Sequence, residues 1–444
     1  MMKDSKSQVK ENDRSSLRRK FIKHFESDPE TICNAEDIEK IEQIDPDERF
    51  PCHSPNEALV LASKAFPKDT AISYLPNGSV SDNPISWTYK EYQEEVNRAA
   101  NMFHSMGLTV DQSVIFLLPN VPQFLFGLWG AQLAGIAAPI NPYLEVEHIA
   151  SIAQSANARI LVTLSPSEPG GEELWNKAMK AKSIASDIQH IIVVGDSHHD
   201  YCKSWDQTTR AQPSDKLIFD RSISGTEIAS YFHTGGTTGA PKLAQHTHRK
   251  QVLNVCQMQL TGPRGTEKNN ITDCDIILCT LPLFHVNAAF VTSLNAILGA
   301  GQVVLAGPNG FRNPQLINDF WQLVQKYKVT FFAAVPTIYA TLLDQPMTDI
   351  DTSSLINCGC GAAPMPVSLL DNFARTTGSD IMEGYGMTET IAVATTHYVY
   401  GDRKVGSVGM RIPYHNIKIA NVDSDGNISN DCELNEVGII FHKG

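Results

Sequence analysis

What most constrains this chain is an alternation that runs through most of it: short apolar runs of strand length, separated by stretches of helical length. Val114–Leu118 reads as a buried strand, Pro119-Asn120 as a turn, Gln123–Ala134 as a helix and Ile136–Ile140 as the next strand. Arg159–Leu164 and Ile191–Gly195 repeat the strand signal. A polar stretch from Asp196 to Arg221 marks a crossing between subdomains, and the alternation then resumes. Strands are expected at Ile228–Phe232, Ile276–Leu281, Gln302–Leu305 and Thr330–Val335, with helices at Ala288–Leu298 and Asn313–Tyr327. A strand at Leu355–Cys358, a helix over Pro366–Thr377 and a strand at Ile381–Glu383 complete the series. Strands that alternate with helices pair mainly in parallel, because each helix carries the chain back to the end where the next strand begins. Past residue 400 the helices drop out. Val405–Met410, Asn416–Ala420 and Val437–Phe441 read as strands joined by turn residues such as Asp425-Gly426, a small β-rich unit.

A length of 444 residues with 42% hydrophobic and 19% charged side chains supports a large core and excludes a disordered, collagen-like or disulfide-scaffold protein. The net charge of −13 argues against nucleic acid or an anionic membrane surface as the main partner. Nine cysteines, an odd number, fit reduced thiols and a cytoplasmic location. Met1–Ser16 has no apolar core of a signal peptide, and the most apolar stretch, Phe124–Ile140, is too short and interrupted to span a bilayer. Residues 1 to about 30 are charged and read as a flexible leader. Asn34 then caps a short helix whose Ile38, Ile41 and Ile44 recur at helical spacing. The expected division is an extension over 1–54, α/β subdomains over 55–220 and 221–400, and the β-rich unit over 401–444.

The chemistry starts at Thr234-Gly235-Gly236-Thr237-Thr238-Gly239-Ala240-Pro241-Lys242, directly after a strand. Its glycines let successive N–H groups converge on an anion, its threonines add hydroxyl donors, and Lys242 adds a point charge. Each charge-assisted hydrogen bond contributes roughly 1.5–3 kcal/mol, so a few of them hold a triphosphate firmly. Gly239 is followed by Ala240-Pro241 and not by Lys-Ser/Thr, which disfavours a P-loop kinase or ATPase. Cys358-Gly359-Cys360 and His246-Thr247-His248 have the spacing of two residues on one face of a strand, and no second pair completes a zinc set.

This loop resembles the phosphate loop of the adenylate-forming enzymes, which include acyl-CoA synthetases, and further motifs follow in that family's order. They are Leu118-Pro119-Asn120-Val121-Pro122, Ala134-Gly135, Pro139-Ile140-Asn141-Pro142, Pro282-Leu283-Phe284-His285, Gly361-Ala362-Ala363-Pro364, Gly384-Tyr385-Gly386-Met387-Thr388-Glu389 and Lys404-Val405-Gly406-Ser407-Val408-Gly409. The resemblance covers about residues 55 to 444. It implies two packed α/β subdomains with mainly parallel sheets plus a smaller, distorted-barrel β-rich subdomain. It also implies an ATP-dependent ligase that activates a carboxylic acid as acyl-AMP, releases pyrophosphate and passes the acyl group to coenzyme A. Joining two anions is mostly positioning and charge neutralisation.

On this resemblance the catalytic set is His285, Lys242, Thr388 and Glu389, with Glu389 on Mg²⁺ and Thr388 donating to the α-phosphate. Nucleotide contacts fall to Thr234, Gly235, Gly236, Thr237, Thr238, Gly239, Lys242, Gly361, Ala362, Ala363, Glu383, Gly384, Tyr385, Gly386, Met387 and Thr388. The acyl pocket is expected beside His285, Ala333, Ala334, Val335, Gly359, Cys360, Gly361 and Met387. These are small or apolar, with no Asp or Lys ready to pair with an amino-acid ammonium, which favours a fatty or other apolar acid. The family's ribose-binding Asp and C-terminal domain have no counterpart before Gly444, so the chain is expected to lack that domain, and thioester formation by it is expected to be nearly absent. The alternatives are a ligase that loads a carrier protein and a nucleotide-binding module without turnover.

Overall fold

The computed structural model describes residues 17–18, 20–26, 32–196, 201–234, 241–262 and 275–444. In chain order, β1 (Thr70–Tyr74) and β2 (Ile85–Thr88) are followed by β3 (Ser113–Leu117), β4 (Ile136–Pro139), β5 (Ala158–Leu164), β6 (His190–Val194) and β7 (Lys203–Ser204). A hairpin of β8 (Ile228–Thr234) and β9 (Lys242–Thr247) comes next, then β10 (Ile276–Cys279), β11 (Gln302–Leu305) and β12 (Phe331–Ala333). The series ends with β13 (Asn357–Cys360), β14 (Asp380–Tyr385), β15 (Thr395–Thr396), β16 (Met410–Arg411), β17 (Asn416–Val422), β18 (Ile428–Asp431) and β19 (Ile439–Lys443).

These strands form a 9-stranded sheet, β16-β15-β14-β13-β12-β10-β11-β1-β2, and a 7-stranded sheet, β7-β6-β5-β3-β4-β8-β9. Their centres are parallel, as the alternation requires, and antiparallel pairs lie towards the edges. β3 shows how burial builds the layers, since each of its positions is buried. Val114 and Phe116 enter the core shared with the other sheet, and Ile115 and Leu117 enter the core under the helices Val146–Ser155 and Gly171–Ile184. A run that is apolar at every position is what burial on both faces demands. The helices Tyr89–Ser105 and Pro122–Ala134 fill the space between the sheets. A capping box between Thr88 and Glu91 starts the first, and Pro122 starts the second. They touch at Gly130, where a Cβ would stand 2.7 Å from that of Ala99, and Trp129 donates its indole N–H to Tyr92 Oη at 2.7 Å.

The structure departs from the sequence reading in several places. The sheets do not divide at residue 220. β1 and β2 complete the sheet of the later strands, and the β8–β9 hairpin completes the sheet of the earlier ones. The leader is docked in part, because Phe21 and Phe25 are buried in the main core. Val405–Met410 is mostly turn, and only Met410–Arg411 pairs, since Gly406 and Gly409 take φ of +81° and +77°. The strand expected at Leu355–Cys358 sits over Asn357–Cys360, in register with β12. The helix expected at Ala288–Leu298 begins as a π-helix over Asn287–Leu294. His248 is not on a strand with His246: β9 ends at Thr247, whose hydroxyl caps the helix His248–Gln259. The β-rich unit is a three-stranded antiparallel sheet, β18-β17-β19.

Candidate active site

The carboxyl ends of β10, β12, β13 and β14 open onto one cavity of about 720 Å³. In open parallel sheets that is where ligands bind, because loops leave the strands there around a rigid frame. Every residue expected in the acyl pocket lines this cavity: His285, Ala333, Ala334, Val335, Gly359, Cys360, Gly361 and Met387. So do Ala362, Gly384, Tyr385, Gly386 and Thr388 from the expected nucleotide contacts. Ala363 and Glu383 do not line it. Glu383 points the other way, buried, and accepts from the Met365 N–H at 3.0 Å. Thr234 and Lys242 face each other across the base of the hairpin, with Lys242 exposed. Gly235, Gly236, Thr237, Thr238 and Gly239 lie outside the described residues.

His285 sits one turn beyond β10, and Asn120 fixes the loop that carries it. The Asn120 amide donates to the Leu281 carbonyl at 2.9 Å and accepts from the Leu283 N–H at 2.8 Å. The ring is exposed to the cavity, yet the surrounding wall removes enough bulk water to pull its pKa below the usual value. His233 stands beside it. Its Nε2 accepts from the Asn141 N–H at 3.0 Å, so the ring proton is on Nδ1, and desolvation holds its pKa down to about 4.

The turn Thr388–Thr390 is held from behind by His246. This histidine is buried on β9, and its Nε2 lies 2.6 Å from the Thr388 carbonyl. A carbonyl only accepts, so Nε2 donates, and burial keeps the ring neutral with a pKa lowered to about 4. Asn254 brackets the next residues, donating to the Val393 carbonyl at 2.7 Å and accepting from its N–H at 3.1 Å. Between these two braces Ile391 takes φ of +71°, a strained value for a β-branched residue. Gly386 is required at the start of the turn, because a Cβ there would meet the Ala392 carbonyl oxygen at 1.8 Å.

Glu389 is exposed at this turn and has no hydrogen-bond or ion-pair partner among the described residues. An exposed carboxylate next to Thr388, which lines the cavity, suits Mg²⁺, which takes one or two carboxylates and fills its shell with phosphate oxygens and water. Cys360, by contrast, is an inert thiol, buried and pushed up to about 11 by desolvation. Asn120, His233, His246 and Asn254 were not singled out from the sequence by any role at the site. The only signal for Asn120 was its place in the Leu118–Pro122 motif.

Fold and cavity define an α/β chain with a cavity at the carboxyl ends of its parallel strands, lined on one side by Tyr385, Gly386, Met387 and Thr388 and on another by Ala333, Ala334 and Val335. The chain belongs to the AMP-binding enzyme family, whose model matches residues 61–444. It is 47% identical over 424 residues to the marinolic acid–CoA ligase of Pseudoalteromonas sp. (strain SANK 73390), a match that covers 96% of this chain and 64% of that protein. It is 29% identical to 4-coumarate–CoA ligase 2 of Nicotiana tabacum, over 90% of this chain and 69% of that one. Among solved structures, the anthranilate CoA ligase AuaEII in complex with anthranoyl-AMP superposes with a TM-score of 0.73 at 21% identity, over 87% of this chain and 69% of that one. The N-terminal domain of FACL13 from Mycobacterium tuberculosis gives 0.68 at 20% identity, over 85% of this chain and 86% of that one. The chain thus spans under two thirds of the length of the marinolic acid–CoA ligase. Among the described residues no helix is long and apolar enough to cross a membrane.

Proposed function

We propose that the cavity binds ATP and a carboxylic acid together and joins them as acyl-AMP, the acyl group passing on to coenzyme A. The observation that carries this reading is the continuity of the cavity: Gly361, Tyr385 and Thr388 line one part, Ala333 to Val335 and Gly359 line another, and His285 lies on the same wall. A carboxylate oxygen forms the new bond to the α-phosphorus. The bond from that phosphorus to the bridging oxygen breaks, and pyrophosphate leaves with the electron pair. The neutral imidazole of His285 donates an N–H to the incoming carboxylate, which lessens the repulsion between the two anions. Thr388 offers its hydroxyl to the α-phosphate, and Tyr385 its ring face to adenine. Lys242 offers its ammonium and Thr234 its hydroxyl to the phosphate tail. Mg²⁺ on Glu389, when bound, supplies charge neutralisation for the phosphate oxygens.

The small, apolar wall supports a fatty or otherwise apolar acid. The names of the marinolic acid–CoA and 4-coumarate–CoA ligases support coenzyme A as acceptor. A pyrophosphate-release screen of straight-chain, aromatic and amino acids with ATP and Mg²⁺ tests the reading. Release that depends on an apolar acid is expected. Release with amino acids only contradicts the pocket argument, and none with any acid overturns the reading.

A further inference from the structure

The cavity continues past the carboxyl ends of the strands. Its wall follows β10, β12 and β13 back to their opposite ends, at Ile277, Phe331 and Asn357. From Gly361 to Ile356 the wall runs about 16 Å at the rise of a β-strand. The far end is polar and is built in part by the N-terminal segment. Arg18, 3% exposed, lines it, donates to the Ala300 carbonyl at 3.2 Å and lies 3.7 Å from the Asp69 carboxylate.

Gln259, 6% exposed, lines the same end. Its Nε2 donates to Asn295, at 2.6 Å to Oδ1 and 3.3 Å to the backbone carbonyl. The backbone carbonyl only accepts, so the amide orientation is fixed, and the buried Oε1 has no hydrogen-bond partner among the described residues. The Gly299 N–H bonds back to the Asn295 carbonyl, so the anchors of Arg18 and Gln259 lie about one helical turn, ~5.4 Å, apart.

We propose that this end receives the tail of the acid, and that the tail carries a neutral group able to accept and donate at once, a hydroxyl foremost. Arg18 donates to its oxygen, and its proton goes to Gln259 Oε1. A plain methyl end leaves that buried acceptor unpaired. An anionic end meets Oε1, the carbonyls of residues 299 and 300 and the Asp69 carboxylate, all of them acceptors. The inference rests on the proposed function, and it names a specificity site for the acid at the opposite end from the chemistry.

The test pairs straight-chain acids from octanoic to tetradecanoic with their terminal-hydroxy counterparts. Binding is read by titration calorimetry and turnover by pyrophosphate release. At the length that reaches Arg18, the hydroxy acid should bind about tenfold tighter than its plain partner, the size of one hydrogen bond to a charged group. Gln259→Leu and Arg18→Met should each bring that ratio to about one. If either variant fails to fold, the other variant and the native ratio decide. A native ratio near one at every length overturns the assignment, as does a preference that both variants retain. Pyrophosphate release without tail preference counts against the tail site alone. No release with any acid counts against the adenylation reading.

Discussion

His285 and His233 are neighbouring imidazoles with different tasks, and their surroundings set the difference. His233 spends its Nε2 lone pair on the Asn141 N–H, which leaves it a strut between β8 and the Pro139–Pro142 turn. His285 faces the cavity with its pKa lowered by burial, so it is neutral at pH 7 and presents an N–H without adding charge. Replacing His285 with Ala should lower the acid-dependent pyrophosphate-release rate roughly a hundredfold, the usual loss for a donor aimed at developing charge, with the ATP KM little changed. Steady-state kinetics on both substrates checks this. An equal loss in a nucleotide-binding assay would place His285 at the wrong end of the cavity. The cavity residues were legible because they sit in contiguous motifs whose small size or chemistry has a purpose. Asn120, His246 and Asn254 were not, because each acts on backbone atoms more than a hundred residues away.

At the scale of elements, the segment from Gly386 to Val393 carries the Thr388–Glu389 pair, and it is held in a strained path by groups from β9 and the helix after it. Removing the His246 donor leaves the Thr388 carbonyl with only the Ile391 N–H among the described residues, at 3.2 Å, and empties the buried space of the ring, so His246→Ala should cost about 1–3 kcal/mol in urea unfolding and raise the KM for ATP. The same histidine gives a pH signature. Its folded pKa of about 4 lies below the ordinary 6.5, so between those values the unfolded chain binds the extra proton. The contribution of His246 is therefore full above about pH 6.5 and falls away towards pH 4, by up to about 3 kcal/mol. His246→Gln should flatten the urea midpoint over that range. An equally steep profile in the variant would mean the ring is not buried neutral. Pro314–Tyr327, with its apolar residues on one face, and Pro122–Ala134, an apolar run bounded by Pro122 and Gly135, were legible to within a residue or two. The π-helix was not, because its side-chain pattern hardly differs from an α-helix over two turns. Val405–Met410 misled because Val405 and Val408 are exposed, each followed by a glycine at positive φ.

Across the whole molecule, the sheets trade strands and the N-terminal segment closes over the result. Phe25 is fully buried, and Glu42 receives the Arg411 guanidinium and the Tyr414 N–H from the other end of the chain. Phe25→Ala should therefore destabilise the protein by about 3–5 kcal/mol in urea unfolding, whereas a solvated leader would give close to zero. The α/β class was plain from alternation alone. The exchange of β1–β2 and β8–β9 between sheets was not, since strand order depends on long-range pairing that short apolar runs do not encode. The docking of residues 20–26 was masked by their charged neighbours, although Phe21 and Phe25 have the spacing of one helical face.

The central claim is that an acid carboxylate oxygen attacks the α-phosphorus of ATP inside this one cavity. The direct measurement is to supply the acid labelled with heavy oxygen in its carboxylate and weigh the nucleotide after hydroxylamine has taken the acyl group. The account predicts AMP carrying one labelled oxygen and unlabelled pyrophosphate. Label in a phosphate product other than AMP, or formation of ADP, would contradict it.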